Sequence, residues 1–133
     1  MRVGLVVAAF EEHASVIEEM AERAVAAAEE HGAAVERRRV PGVYDTPLAA
    51  DRLARRDDVD AVAVVGAVIA GDTDHDEVIA GAAAEALTEV SLDRDTPVTL
   101  GVTGPGMSAD EARARVEKGA EAVESAIHLT EEL

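Results

Sequence analysis

The chain has 133 residues, a formal net charge of −16 and no cysteine; its hydrophobic 48% is mostly alanine and valine, with one phenylalanine, Phe10, and one tyrosine, Tyr44. That length predicts one domain over residues 1–133, and a core of such small side chains must draw its backbones close together. Lack of cysteine excludes disulfides, thiolate metal sites and cysteine nucleophiles, the charge argues against nucleic-acid and membrane partners, and no apolar run is long enough to span a bilayer.

Four strand-then-helix units follow in order. "VGLVVAA" (Val3 to Ala9) has the unbroken apolar character of a strand buried on both faces. A strand pattern this close to the N-terminus does not resemble a signal peptide, so a soluble, cytoplasmic protein is expected. An Ala/Glu-rich helix is predicted from about Glu12 to Glu30, stopped by His31-Gly32. "AAVERRRV" (Ala33 to Val40) is strand-like but carries Arg37, Arg38 and Arg39, which places it at a sheet edge. Pro41-Gly42 turns the chain into a short helix from about Thr46 or Pro47 to Arg56.

The third strand, "AVAVVGAVI" (Ala61 to Ile69), precedes a helix predicted from about Asp74 to Val90, with Asp74 and Glu77 at capping-box spacing and Thr73 as the rival cap. The fourth strand is predicted over "PVTLGVTG" (Pro97 to Gly104), "PGM" as a loop, and a last helix from about Ser108 or Ala109 to the C-terminus. Such alternation means an α/β fold, a parallel sheet covered by helices on both faces. Ligands of such sheets bind at the carboxyl ends of the strands, where strand order reverses. Phe10 and Tyr44 both fall in loops at that end, either as plugs for the sheet or as surfaces for a ligand.

The stretch "GAVIAGDTDHDE" (Gly66 to Glu77) compresses several chemistries into twelve residues. Asp72, Asp74 and Asp76 alternate like calcium ligands, but Glu77 and Ala83 stand where a calcium loop needs glycine and glutamate. His75 has no second histidine at helical spacing, which argues against a transition metal. "GDT" leads into a helix start, where backbone N–H groups and the helix dipole favour an anion; Arg115 and Lys118, three apart on one face of the last helix, are candidate counter-cations or an exposed charged face. His75, on the first turn of its helix beside carboxylates, suits proton transfer near neutral pH. His13, His31 and His128 read as surface residues.

"VPGVYDTPLA" (Val40 to Ala49), "GAVIAGDTDHDE" and "TPVTLGVTGPGM" (Thr96 to Met107), together with the single Phe after strand one and the "RVEKG" of the last helix, resemble the 6,7-dimethyl-8-ribityllumazine synthase family, especially its archaeal form. The resemblance implies a flavodoxin-like three-layer α/β/α sandwich with a four-stranded parallel sheet. It also implies homopentamers, with decamers or icosahedral shells as further assemblies, and active sites between neighbouring subunits. The implied reaction condenses 5-amino-6-(D-ribitylamino)uracil with 3,4-dihydroxy-2-butanone 4-phosphate, the penultimate step of riboflavin synthesis, without metal or organic cofactor.

By position, Phe10 resembles the aromatic that stacks on the pyrimidine, and Ala67, Val68 and Ile69 the segment along its edge. Val43, Tyr44 and Asp45 resemble the segment holding the ribityl chain, with the Asp45 carboxylate accepting hydroxyl hydrogen bonds. Gly71, Asp72 and Thr73 resemble the phosphate loop and His75 the proton-transfer residue. Leu100 and Arg115 resemble residues offered by a neighbouring subunit, to the pyrimidine and the phosphate respectively. Glu11 replaces the family's usual asparagine, Leu100 replaces an aromatic of bacterial members, and Arg113 competes with Arg115, which is favoured because it shares a face with Lys118. Rival readings are an archaeal-type riboflavin synthase and a non-catalytic lumazine- or flavin-binding shell protein. A phosphoacceptor receiver domain is disfavoured because the third strand ends "VVGAVIAG" without an acceptor aspartate and no fifth strand is visible.

Overall fold

In the computed structural model, which describes residues 1–70 and 75–133 with the side chain of Glu11 set aside, the sheet has four parallel strands. The elements are β1 (Arg2–Ala8), α1 (Ala14–Glu30), β2 (Ala34–Val40), α2 (Thr46–Ala54), β3 (Ala61–Ile69), α3 (His75–Arg94), β4 (Val98–Met107), α4 (Ala109–Arg113) and α5 (Lys118–Glu132). Short 3-10 turns at Glu11–His13 and Val43–Asp45 precede α1 and α2.

Alternation along the central strands sends side chains to two separate helical layers. Val3, Leu5 and Val7 pack with Ile17 and Met20 of α1 and Val123 and Ile127 of α5. Val6, Val62 and Val64 pack with Leu53 of α2 and Leu87 of α3. Both β1 and β3 are therefore buried on two faces, which explains their unbroken apolar runs. Small residues let the layers approach: a Cβ on Gly101 of β4 would lie 2.7 Å from the Ala122 Cβ and 2.8 Å from the Val64 carbonyl oxygen.

The order β2-β1-β3-β4 puts the arginine-rich strand at an edge, as its polarity predicts. Arg39 donates to Glu18 of α1 at 3.0 Å, Arg37 uses the other oxygen of the same carboxylate, and Arg38 donates to Glu36 at 2.7 Å. The chain builds β2 on one side of β1 and β3 and β4 on the other, so its order reverses between β1 and β3.

Three element boundaries differ from those the sequence predicts. The "PGM" segment is strand: after Thr103, β4 makes a hook in which Gly104 and Gly106 take positive φ angles of 95° and 75°, and pairing with β3 resumes at Ile69 and Met107. The last helix is two helices. Arg115, Lys118 and Gly119 donate backbone hydrogen bonds to residues only three positions back, Ala112, Arg115 and Val116, so the chain tightens into turns over Ala114–Glu117. The helix after β3 runs on to Arg94, whose side chain grips Asp51 of α2 at 2.8 Å.

Candidate active site

The switch point between β1 and β3 opens into a pocket of about 290 Å³. Phe10 enters from the end of β1, Gly42, Val43 and Tyr44 from the turn after β2, Ala67, Val68 and Ile69 from the end of β3, and His75, Asp76 and Ile79 from α3. Three strand-to-helix connections thus converge because parallel strands all release their chains at one end of the sheet.

Phe10 and Tyr44 are 48% and 66% exposed, which rules out the reading of them as plugs. Phe10 lies beside His13, with ring centroids 6.0 Å apart and planes tilted by 38°. His13 is therefore half-buried against the pocket's aromatic instead of lying free on the surface. Val43 is buried at the pocket's rear, where it touches Ala8 and Val68.

Asp45 has a partner that its sequence position does not suggest. Its Oδ2 accepts a hydrogen bond from the Gly42 amide at 3.1 Å, and its own amide donates to the Gly42 carbonyl at 3.0 Å. The carboxylate thereby closes the turn that presents Val43 and Tyr44, and Asp45 itself does not line the pocket. Thr46, fully buried beside it, donates its hydroxyl to the Val43 carbonyl at 2.7 Å.

The hook of β4 braces the pocket from behind. Any Cβ on Gly104 would collide with the Val68 carbonyl, and the Ala70 amide donates to the Met107 carbonyl at 2.8 Å. Only glycine permits so close a backbone approach at a positive φ.

Leu100 and Lys118 lie apart from this pocket. With Thr99, Glu121, Ala122 and Ser125 they line a second hollow of about 280 Å³ between β4 and α5. Arg115 is exposed in the turns before α5, 3.8 Å from Glu111 at its nearest approach. It lies outside α5, but the Lys118 amide donates to its carbonyl at 3.0 Å, and in turns with such three-residue hydrogen bonds residues three apart eclipse. Arg113 is held by Asp110 at 2.9 Å. One chain therefore divides the expected residues between two surfaces, Phe10, Val43, Tyr44, Ala67, Val68, Ile69 and His75 on one and Leu100 and Lys118 on the other. Gly71, Asp72, Thr73, the cap candidate Asp74 and the side chain of Glu11 lie outside the described residues. Gly42 and Ile79 are pocket residues that sequence reasoning did not single out, and Asp76, weighed there only as a calcium ligand, lines the pocket too; Ile79 follows His75 by one helical turn, a spacing that could have revealed it.

Comparison with known proteins agrees with this architecture. The sequence model of the family described as 6,7-dimethyl-8-ribityllumazine synthase matches residues 1–133. A curated protein of that name from Halobacterium salinarum is 66% identical over 133 residues, covering 99% of this chain and 98% of its own. Another from Halorubrum lacusprofundi is 66% identical over 132 residues, 98% and 97% of the two chains. One from Methanocaldococcus jannaschii is 48% identical over 94 residues, 71% and 67% of the two. A match along the whole length, on a four-stranded parallel sheet with helices on both faces, places this chain in the 6,7-dimethyl-8-ribityllumazine synthase family.

Proposed function

We propose that the chain catalyses condensation of 5-amino-6-(D-ribitylamino)uracil with 3,4-dihydroxy-2-butanone 4-phosphate to 6,7-dimethyl-8-ribityllumazine. Phe10, Ala67–Ile69 and His75 line a single pocket at the switch point, and that grouping carries the assignment. It offers a flat apolar ring for a pyrimidine, backbone groups along its edge and one titratable imidazole.

Phe10 stacks on the uracil ring, the turn at Val43–Asp45 holds the ribityl chain, and Gly71, Asp72 and Thr73 hold the phosphate. Leu100 and Lys118 line a hollow apart from this pocket and Arg115 is exposed in the turns before α5; the three complete the site when supplied by a neighbouring copy. The enzyme then works as a homo-oligomer, in the cytoplasm. A guanidinium suits that role because its fork of donors reaches two phosphate oxygens at once.

In the reaction the uracil amine attacks the ketone and water leaves as the imine forms. His75 moves the protons that let phosphate depart, and the ribitylamino nitrogen closes the ring with loss of a second water. Holding two reactants in register supplies most of the acceleration, with proton transfer by the imidazole adding to it.

The test mixes both substrates with purified protein and follows lumazine fluorescence and released phosphate. Equimolar lumazine and phosphate are expected. A protein that gives neither, but converts lumazine alone to riboflavin, would be a riboflavin synthase; one that binds lumazine without turnover would be a non-catalytic shell.

A further inference from the structure

Asp76 has no part in the roles given above, yet it lines the pocket directly after His75. Its Oδ2 accepts a hydrogen bond from the Gly106 amide at 3.1 Å. Gly106 belongs to the β4 hook, which is already fixed to β3 by the Met107 carbonyl and by the close approach of Gly104 to Val68. The Asp76 carboxylate therefore joins the first turn of α3 to the same hook that braces Val68 and Ile69.

Without such a tie, a helix's first turn has amide groups lacking intrahelical partners, and it opens at low cost. His75 lies on that turn and is exposed, so among the described residues it is the backbone of α3 that sets where its imidazole points. A hydrogen bond to a charged acceptor is among the stronger ties available to a partly exposed turn.

We propose that Asp76 is a positioning residue: by accepting the Gly106 amide it fixes the first turn of α3, and with it the His75 imidazole, against the strand end that lines the pocket. The proposal rests on the assignment of His75 as the proton-transfer residue. A carboxylate in the first turn also favours the helix through its dipole, and the two effects separate on substitution. Asparagine keeps an acceptor oxygen for Gly106 but loses the charge; alanine loses both.

The test measures steady-state lumazine formation by the wild type, Asp76→Ala, Asp76→Asn, His75→Ala and the His75→Ala/Asp76→Ala double variant. Asp76→Ala should lower kcat about tenfold while KM changes less than about threefold, the scale expected for one charge-assisted hydrogen bond that orients a reacting group. Asp76→Asn should return to within about threefold of wild type, and the double variant should be no slower than His75→Ala within about twofold. A full Asp76→Ala loss repeated on the His75→Ala background, or no recovery with Asp76→Asn, would overturn the proposal. Hydrogen exchange gives a readout independent of activity: amides of Ile79 and Ala80 should exchange faster in Asp76→Ala than in Asp76→Asn, and equal rates would also overturn it. A wild type that forms no lumazine defeats the assigned reaction, and the exchange rates then decide the tie alone.

Discussion

Gly119, on the first turn of α5, lies so close to Met20 of α1 that a Cβ there would collide with the Met20 carbonyl oxygen. This contact sets how far the two helices of one layer can close over β1 and β3. The turns at Ala114–Glu117 lead directly into this contact, where glycine and not a larger residue meets α1.

Replacing Gly119 by alanine should therefore destabilise the fold in spite of alanine's better helix propensity. The methyl has no room, and overpacking of this kind costs about 1–3 kcal/mol, more than the ~1 kcal/mol that alanine gains over glycine in a helix. A lower urea midpoint with unchanged slope would bear this out; an equal or higher midpoint would show that α1 and α5 can separate freely.

His75→Ala should slow lumazine formation by about ten- to a thousandfold without abolishing it, within or below the usual general-base contribution. Approximation of the two substrates survives the substitution. Rates from an assembled variant decide the matter, and complete loss would mean that the imidazole does more than move protons.

Acid should unfold the protein through its ion pairs. The Asp51 carboxyl is held below its ordinary value by hydrogen bonds from Arg94, and by the charges of Arg94 and Arg55 despite some desolvation. Glu36 is held down by its hydrogen bond from Arg38 and by the Arg56 charge, and Asp58 by its hydrogen bonds from Arg56. A carboxylate held low favours the folded chain above its unfolded value, and this contribution is lost as pH falls through the folded one. Melting temperature should thus lose nothing from these groups between pH 7 and about 5 and fall below about pH 4. Asp51→Asn should weaken that acid limb.

Salt should act in the opposite sense. With a formal net charge of −16 on 133 residues the chain repels itself, and Lys118 is its sole lysine. Raising potassium chloride from about 0.05 M to about 2 M shortens the Debye length several-fold, which should raise the melting temperature. An unchanged value across that range would show that the surface charge is already balanced locally.

The layers and the edge position of β2 were legible in the sequence because β1 and β3 are apolar on both faces while β2 carries three arginines. The pocket was legible for the same reason, since strand ends collect at one side of a parallel sheet. What could not be read was set by tertiary contact. Helical periodicity runs without interruption through Ala109 to Glu132, yet turns over Ala114–Glu117 break it just ahead of the close approach of Gly119 to α1. "PGM" has the composition of a loop, yet the Val68 carbonyl fits against Gly104 and pulls it back into the sheet. Asp45 is expected by resemblance to accept hydroxyl hydrogen bonds, and its bond to Gly42 depends on a turn geometry that spacing does not specify.

Division of the site between two surfaces of the chain is tested most directly by making mixed assemblies of His75→Ala and Arg115→Ala, each slow on its own. In a ring of equal proportions, the pocket of an Arg115→Ala protomer beside the intact Arg115 of a His75→Ala protomer forms one intact site, so about a quarter of sites recover. Mixed assemblies should show about a quarter of wild-type turnover, well above either parent. Activity no greater than the mean of the two parents would contradict a site shared between neighbours.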